Sequence, residues 1–369
     1  MASLKRVKLK GFRSIKDAEI ELRPLNVLIG ANGAGKSNLV AFFKMLNEMM
    51  AGRLQQFIAT TGRAQSNLHF GPKVTPQMEA TLEFEVEQGL NVYRLSLSHA
   101  AGDALVFSEE SLSFVAEGPT GGPRQVGAGR GHPETMIDEM ANTGQPLAKA
   151  FRELLLRCRV FHFHDTSSTA GVRQPHYVGD NRWLMPDAAN LAAMLHRWRE
   201  ENRLVYDRIV RTVTQIAPFF ADFDLRPEAG NGRQLALNWL HKRSDSVFGP
   251  HQLSDGTLRA ICLIALFQQP EAELPSLIVV DEPELGLHPY ALNVVASIMK
   301  AASLHTQVLI STQSSTFLDN FEPADVVVVK EDGGASNFSR LDEGALKAWL
   351  EEYSLGEIWE KNVIDGGPH

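Results

Sequence analysis

The chain has 369 residues, a formal net charge of −8 at pH 7 and 44% hydrophobic residues. This length allows a large core divided between two lobes or domains, and the composition is typical of a soluble globular protein. The negative charge argues against a uniformly basic nucleic-acid binder, and no apolar run reaches the ~18 residues that a membrane helix requires.

The N-terminus and the cysteines indicate the compartment. The first residues lack the apolar core of a secretory signal, so we expect a cytoplasmic protein with no membrane partner. The chain has two cysteines, Cys158 and Cys262, and both lie among apolar residues. We therefore expect two buried thiols in a reducing compartment and not a disulfide.

The first part of the chain predicts two strands followed by a strand–loop–helix unit. Residues 4–9 alternate charged and apolar side chains, as a half-exposed strand does, and residues 18–22 predict a second strand. Residues 26–30 predict a short buried strand, and residues 37–50 predict a helix with a glycine stop signal behind it. A polar loop is expected over residues 52–76.

A phosphate-binding motif joins the third strand to this helix. Gly30-Ala-Asn-Gly-Ala-Gly-Lys36-Ser37 has four residues between a glycine and Gly-Lys-Ser, which is the P-loop pattern. Its glycines let backbone N–H groups turn toward phosphate oxygens, Lys36 can reach the β- and γ-phosphates, and Ser37 can hold Mg²⁺. The alternative is a chance glycine-rich turn. The predicted nucleotide-binding residues are Gly30, Ala31, Asn32, Gly33, Ala34, Gly35, Lys36, Ser37 and Asn38.

Three strongly alternating segments follow, at residues 78–87, 91–98 and 104–116, and they predict an antiparallel meander. The stretch 118–133 is rich in glycine and proline and predicts a surface loop. Together with the phosphate motif, these elements form an expected N-terminal lobe over residues 1–145.

The middle of the chain predicts an inserted subdomain, with helices and a hairpin, over residues 146–245. Its expected elements are a helix (147–157), a strand (159–164), one or two helices (188–218) and a hairpin (225–228 with 234–241). The helical part is far too short for a long coiled-coil arm.

The last third, residues 246–369, predicts a second lobe with alternating helices and strands. Residues 258–267 are apolar on all sides and predict a buried helix. A helix from Pro289 to about Leu304 lies among apolar strands at 277–280, 307–311 and 325–329. This order implies a parallel sheet with right-handed crossovers, and phosphate chemistry at the carboxyl ends of its strands.

Two further motifs in this lobe bear on the same chemistry. The strand Leu277-Ile-Val-Val ends in Asp281-Glu282, where Asp281 can hold Mg²⁺ through water and Glu282 can orient and deprotonate an attacking water. Leu253-Ser254-Asp255-Gly256-Thr257 directly precedes the buried helix. Ser254 and the backbone N–H groups at that helix start, Gly256 included, predict a second phosphate contact.

With these motifs the chain resembles the ABC-type ATPases, and within them the RecF/SMC/OLD-like branch. Residues 253–257 are similar to the family's Leu-Ser-Gly-Gly-Gln signature, and Asp281-Glu282 is similar to its Walker B pair. Pro283-Glu-Leu-Gly-Leu-His-Pro289 resembles the D-loop, and Ser311-Thr-Gln313-Ser314 stands at the switch motif. The opening Leu9-Lys-Gly-Phe-Arg-Ser14 and the Asn38 that follows the P-loop favour the RecF/SMC side over transporters.

The resemblance implies an α/β fold of the ABC-ATPase head type, a P-loop NTPase with a mixed sheet, an antiparallel meander and an inserted helical subdomain. It also implies a head-to-tail homodimer that holds two ATP molecules with Mg²⁺. Each ATP would contact Lys36 of one subunit and Ser254 of the other. Glu282, Lys36 and Gln313 would be the catalytic residues.

Two residues depart from the family pattern. The switch position usually carries His, and Gln313 can hydrogen-bond a γ-phosphate or the attacking water but cannot become cationic. We therefore expect no switch-histidine titration in the pH profile of hydrolysis. Asp255 either puts a carboxylate near a polyphosphate or caps a helix that begins at Thr257.

The resemblance favours an ATP-hydrolysing switch in DNA repair or antiphage defence that couples nucleotide state to DNA or to a separately encoded effector such as a nuclease. We find no nuclease motif, and residues 325–369 are too few for the Toprim domain of OLD nucleases. One alternative is the nucleotide-binding subunit of an ABC transporter, against which the long segment between Ser37 and Leu253 counts. Another is a protein that binds ATP and hardly hydrolyses it, against which Glu282 argues.

Two patterns leave alternatives open. His162 and His164 would point to one side of a strand, as a metal pair or as a hydrogen-bonded surface, and they stand about where the family has its Q-loop. Two basic clusters could contact nucleic acid or form solvated faces. They are Lys5, Arg6, Lys8, Lys10, Arg13 and Lys16 near the N-terminus, and Arg197, Arg199, Arg203, Arg208 and Arg211 on a predicted helical region.

Overall fold

The computed structural model describes residues 2–116, 124–227, 232–364 and 366–367. The chain forms two compact units, each assembled from segments that are distant in sequence. The first unit comprises Met1–Val160, Pro275–Val279 and Gln307–His369, and the second comprises Phe161–Leu274 and Val280–Thr306. The division into residues 1–145, 146–245 and 246–369 follows the order of the motifs and stays a prediction.

The first unit contains an antiparallel sheet. Its strands are β1 (Ser3–Phe12), β2 (Ile15–Glu21), β4 (Gln77–Val86), β5 (Gly89–Ala100), β6 (Ala104–Ala116) and β7 (Arg124–Gly127), in the spatial order β2-β1-β4-β5-β6-β7. The predicted meander is confirmed as β4, β5 and β6, which pair antiparallel in sequence order. The prediction of a loop over residues 118–133 was wrong for Arg124–Gly127, which form strand β7. This polar strand is held by backbone pairing with β6 and not by buried side chains, and residues 117–123 lie outside the described residues.

A second sheet carries the parallel strands. It consists of β3 (Leu25–Ile29), β8 (Cys158–Phe161), β14 (Leu277–Asp281), β15 (Gln307–Thr312), β16 (Val326–Asp332) and β17 (Ala335–Arg340), in the order β17-β16-β3-β15-β14-β8. β3 pairs parallel with both β15 and β16, and β17 is an antiparallel edge strand. Every residue of β3 and β15 is buried, as is usual for strands covered on both faces. The parallel sheet is confirmed around β3, and β17 makes it mixed.

Within the described ranges, the first unit has eight helices, and the first five of them share a core with the antiparallel sheet. They are α1 (Lys36–Met50), α2 (Leu54–Thr60), α3 (Arg63–Asn67), α4 (Ile137–Asn142), α5 (Pro146–Leu156), α10 (Ser315–Leu318), α11 (Glu343–Leu350) and α12 (Leu355–Glu360). The core includes Phe42 and Phe43 of α1, Phe84 and Tyr93 of the sheet and Phe151 of α5. The helices predicted at 37–50 and 147–157 are confirmed.

The polar loop predicted at residues 52–76 was wrong, because α2 and α3 lie within it. Leu54, Phe57 and Ile58 recur at helical spacing and are buried, and α2 packs against α1 and β6. Gln55 and Gln56 lie between these buried residues, and their polarity favoured the prediction of a loop. Gln55 instead serves the fold by donating side-chain hydrogen bonds to the carbonyl oxygens of Leu105 and Pro133.

The second unit is built around a buried helix. Its long helices are α6 (Leu191–Glu201), α7 (Arg203–Ile216), α8 (Asp255–Gln268) and α9 (Pro289–Ala302), and α6, α7 and α9 each pack against α8. From Ala260 to Phe267 every residue of α8 is buried, which explains why its sequence is apolar on all sides. The helices predicted at 188–218, at 258–267 and from Pro289 are confirmed.

The short strands of the second unit pair differently from the predicted hairpin. They are β9 (His176–Tyr177), β10 (Phe220–Asp224), β11 (Gln234–Leu235), β12 (Asn238–His241) and β13 (Val247–Phe248). β12 pairs with β10 and β13, and β11 pairs with β9. The aromatic rings of Phe220 and Trp239 stack across β10 and β12, which places the strand before residue 225. Of the expected strand 225–228, Glu228 lies outside the described residues.

Candidate functional site

The phosphate loop of the first unit is shaped by contacts that exclude side chains. It begins after β3 at Gly30 and ends at Gly35, which precedes α1 with φ +110°. A Cβ added to Gly35 would lie 1.9 Å from the hydroxyl oxygen of Ser336 on β17, and one added to Gly30 would lie 2.2 Å from the carbonyl oxygen of Val329 on β16. Close approach of the sheet therefore requires glycine at both ends of the loop, and at Gly35 the positive φ requires it as well.

Lys36 lies inside this loop. Its side chain is only 4% exposed, and Nζ donates to the carbonyl oxygens of Gly30 at 2.6 Å and Ala31 at 3.0 Å. The first turn of α1 carries no acidic side chain, and Ser37 is exposed within it. A buried ammonium and the positive end of a 15-residue helix thus favour an anion at the same place.

Gln313 leaves the sheet beside the phosphate loop. β15 and β3 are parallel neighbours, and Thr312 pairs with Ile29 at their carboxyl ends. Gln313 and Gly30 therefore follow adjacent strands side by side. Ser314 caps α10 by accepting from the backbone N–H of Phe317 at 3.1 Å, so the Gln313 backbone is fixed between a strand end and a helix start. This geometry fits a side chain that contacts a terminal phosphate or its attacking water.

A cavity of about 760 Å³ adjoins the phosphate loop at Asn38. The Asn38 amide donates to the Ser14 hydroxyl at 2.6 Å, and Phe70, which is 63% exposed, forms part of the cavity wall. Arg13 lines it as well and donates through Nε and Nη2 to Asn67 Oδ1 at 3.2 and 3.1 Å. Burial lowers the pKa of Arg13 from its usual value.

The cavity wall was missed because its residues come largely from the segment predicted as a loop. The apolar spacing at residues 54, 57 and 58 was the signal that a folded element stood there.

The carboxylate pair lies where the sequence predicted it. β14 ends at Asp281, and Glu282 follows with φ +42°, in the left-handed region that a non-glycine residue adopts at a cost of about 1–3 kcal/mol. The turn that follows leads to α9, which starts at Pro289 and is capped by His288 Nδ1 accepting from the Tyr290 backbone N–H at 3.3 Å. Such strain persists where the surrounding fold holds the residue in one orientation.

The signature loop of the second unit has a capped helix start. Ser254 Oγ accepts from the backbone N–H of Thr257 at 3.2 Å and lies 2.8 Å from the Thr257 hydroxyl. The helix begins at Asp255 and not at Thr257, and its N-cap is Ser254, so of the two alternatives for Asp255 the capping role is wrong. A Cβ added to Gly256 would lie 2.2 Å from the carbonyl oxygen of Gly286, so the signature loop packs against the D-loop backbone.

Arg259, one turn into α8, joins three motifs of the second unit. Its guanidinium donates to the carbonyl oxygens of Phe163 at 3.1 Å, His164 at 2.8 Å and Leu285 at 2.9 Å. The signature helix is thereby tied to the D-loop and to the segment expected near the Q-loop. Sequence reasoning missed this residue, although a single arginine near the start of an otherwise apolar helix was a usable signal.

The strand predicted at 159–164 was too long. β8 ends at Phe161, because the backbone N–H of His162 donates to Pro186 and not to a neighbouring strand. His162 and His164 therefore lie in a loop, where strand alternation does not bring them to one side. Across the described ranges, no group of three or more His, Cys, Asp or Glu side chains is arranged to hold a metal ion.

Both basic clusters contain ion pairs. On β1, Lys5 pairs with Glu85, Arg6 and Lys8 with Glu19, and Lys10 with Asp17, at 3.2–3.3 Å. In the second cluster, Arg197 pairs with Glu273, Arg199 with Glu200 and Arg203 with Asp207. These acidic partners weaken the positive potential that a nucleic-acid backbone would need.

The two cysteines are free and buried, as expected. Burial raises the pKa of each thiol to about 12, which makes both unreactive near neutral pH. Among the residues that the structure describes, none of the helices has the length and apolar character to cross a membrane.

Two family models match the chain. One, described as "AAA domain, putative AbiEii toxin, Type IV TA system", matches residues 161–319, and one described as "AAA ATPase domain" matches residues 3–75. A similar protein is the OLD nuclease of Thermus scotoductus (strain ATCC 700910 / SA-01), 24% identical over 381 residues, which cover 96% of this chain and 67% of that protein.

Solved structures of SMC heads share the fold. One is an SMC head bound to the C-winged helix domain of ScpA, with a TM-score of 0.62 and 16% identity over 94% of this chain and 99% of that chain. Another, derived from Pyrococcus furiosus, is an SMC head with an extended coiled coil bound to the C-terminal domain of ScpA, with a TM-score of 0.63 and 14% identity over 95% of this chain and 99% of that chain.

These comparisons confirm the fold and the resemblance. The structure has the mixed α/β fold of the ABC-type ATPase head, and the chain is similar to AAA ATPase domains and to an OLD nuclease, in agreement with the RecF/SMC/OLD-like resemblance.

Proposed function

We propose that the protein is an ATP-hydrolysing switch that closes as a homodimer around two ATP molecules. The observation that carries this proposal is the presence in one chain of two different helix starts that suit a phosphate. The first unit offers the phosphate loop with Lys36 buried inside it, and the second offers the capped signature loop at Ser254. In proteins of this type, the two loops of one nucleotide site come from different subunits, so each copy would complete the pocket of the other.

Phosphate binding, activation of water and Mg²⁺ binding are assigned to different residues of the site. Backbone N–H groups of residues 30–38 and the Lys36 ammonium bind the phosphates, and Gln313 hydrogen-bonds the terminal phosphate or the attacking water. Glu282 orients that water and accepts its proton, as a general base does. Ser37 and Asp281 are oxygen donors of the kind that Mg²⁺ prefers, and the ion, when bound, would neutralise charge that develops on the phosphates.

The cavity beside Asn38 provides room for the nucleoside. Its volume of about 760 Å³ exceeds what a purine nucleoside occupies, and the exposed ring of Phe70 offers an apolar face for a base. The guanidinium of Arg13, lining the same cavity, is placed to serve a ribose or an α-phosphate. We infer that the nucleotide lies along the start of α1 with its base toward Phe70.

The switch would act in DNA repair or antiphage defence by coupling nucleotide state to DNA or to a separate effector such as a nuclease. The OLD nuclease likeness and the SMC head fold support this direction. Because carboxylates pair with both basic clusters, DNA contact is expected to depend on dimer closure and not on either cluster by itself.

Steady-state ATPase assays over a range of subunit concentrations test the proposal. We expect the rate per subunit to rise with concentration and then level off, because the competent species is a dimer. Linear, nicked and single-stranded DNA added separately should reveal a form that stimulates the rate. A rate per subunit that stays constant on dilution, with or without DNA, would contradict the sandwich.

A further inference from the structure

A buried arginine lies behind the signature loop. Arg173 ends a short 3-10 turn, Gly171–Arg173, and is only 5% exposed. Its guanidinium donates to the carbonyl oxygens of Pro250 and Leu253, to that of Thr166 at 2.8 Å and to Asp255 Oδ1 at 2.8 Å. One side chain, some 80 positions upstream, thus holds the backbone that leads into the loop and also the first residue of α8.

The loop contains an apparent electrostatic conflict. Asp255 is the first residue of α8, its side chain is 64% exposed, and it stands next to Ser254. A carboxylate there would repel the phosphates of a nucleotide and would compete for the helix N-terminus as an anion. The ion pair with Arg173 offsets the carboxylate charge and fixes its direction.

We propose that Arg173 is a positioning residue of the signature loop, and that it makes the loop compatible with a polyphosphate by neutralising and holding Asp255. This inference rests on the proposed ATP sandwich. By securing the Pro250 and Leu253 carbonyls, Arg173 fixes the entry into α8, so that Ser254 Oγ caps Thr257. The amides of Asp255 and Gly256, which have no intrahelical partner, then remain to face an anion.

The double-mutant cycle of Arg173→Met and Asp255→Asn tests this assignment. We expect Arg173→Met to lower kcat about 10- to 100-fold and to raise the subunit concentration needed for half-maximal rate, with the KM for ATP within about threefold of the parent. The phosphate loop, in the other compact unit, does not use Arg173. In the Asp255→Asn background the same substitution should cost at least about threefold less, because no unpaired carboxylate opposes closure and only the hydrogen bonds to the backbone carbonyls are lost.

Arg197→Met is the matched control. Arg197 is a partly buried arginine of the same unit, paired with Glu273 at 2.5 and 2.8 Å, on α6. It should lower thermal stability to a comparable degree while leaving the concentration dependence of the rate unchanged. Should Arg173→Met fail to fold by circular dichroism, Arg173→Lys replaces it. Lysine keeps the charge but not the planar fork, and we expect a loss of about 3- to 10-fold.

The outcomes separate this inference from the proposed function. If turnover depends on Lys36, Ser254 and subunit concentration but Arg173→Met, or its Lys substitute, keeps the parent rate, the positioning role is wrong and the sandwich stands. Equal losses from Arg173→Met in the parent and in the Asp255→Asn background would likewise reject the charge-neutralising role. If the parent shows no concentration-dependent turnover, the proposed function itself has failed.

Discussion

The phosphate loop of the first unit and the signature loop of the second present helix N-termini but are built by different means. The phosphate loop is shaped by its own backbone: glycines at both ends fit under β16 and β17, and Lys36 is wrapped by carbonyl oxygens of its own loop. The signature loop is held by side chains outside it. Arg173, some 80 positions upstream, bonds its entry, and Arg259, in the helix that follows the loop, bonds the D-loop backbone.

The two loops should therefore differ in how well they tolerate substitution. A loop that depends on glycine geometry should lose function with almost any added side chain. A loop that depends on arginines outside it can vary in its own sequence, as Leu-Ser-Asp-Gly-Thr does here, provided the supporting residues compensate. Four substitutions test this contrast, and their expected effects decrease from Glu282 through Gly35 and Gln313 to Phe70.

The largest effect is expected at Glu282, where the strained backbone sets the carboxylate. Glu282→Gln removes the general base with little change in size, so kcat should fall about 10²- to 10⁴-fold while ATP binding is retained. Size-exclusion chromatography with ATP should then show a trapped dimer. Parent-like hydrolysis by this variant would reject the catalytic assignment.

The backbone-built loop is tested with Gly35→Ala. The new Cβ would lie 1.9 Å from Ser336 Oγ at a φ of +110°, so the loop or β17 must move, and nucleotide affinity should fall on the order of 100-fold. Gly52→Ala is the control, since its φ of +67° carries a similar strain but an added Cβ meets nothing within 4 Å among the described residues. Titration with a fluorescent ATP analogue measures both, and equal affinities would show that the loop is not built as described.

A smaller effect is expected at Gln313, beside the loop. Gln313→Ala should lower kcat about 10- to 30-fold, the loss of one hydrogen bond to a charged group. Because glutamine does not titrate, the parent profile of kcat should show no step attributable to this position between about pH 6 and 8, whereas Gln313→His should introduce one. An unchanged rate in Gln313→Ala would show that the side chain does not reach the phosphate.

The smallest effect is expected in the cavity. Phe70→Ala removes the exposed ring and should weaken ATP binding about 3- to 10-fold, with kcat nearly unchanged. Val74→Ala, at a similarly exposed position, is the control. Equal binding by parent and Phe70→Ala would place the nucleoside elsewhere.

The sequence predicted contiguous features well. The P-loop, the Asp281-Glu282 strand end, the meander and the buried helix α8 each depend on a short local pattern, and the structure confirms their elements. Fold class followed from the order of those elements together with the resemblance.

The features that could not be predicted from the sequence are formed by long-range contacts, or lie in segments whose polar composition hides a few buried residues. Arg173 gains its role only because a turn some 80 residues upstream packs under the signature loop. The segment holding α2 and α3 was predicted as a loop because polar residues outnumber its few buried ones. The strand at 225–228 was misplaced because the partner of β12 is the preceding segment, where Phe223 lies opposite Trp239 and Phe220 stacks on the same ring. Local patterns cannot report such pairings.

The central claim is that two copies of this chain complete each other's nucleotide pocket, and a mixing experiment tests it most directly. Lys36→Ala and Ser254→Arg should each abolish turnover alone, because every homodimer then lacks one half of both sites. In an equimolar mixture, half of the dimers would carry one intact site of two, so we predict recovery of up to about a quarter of the parent rate. A mixture as inactive as its components, or a Ser254→Arg protein that hydrolyses ATP at the parent rate by itself, would contradict the account.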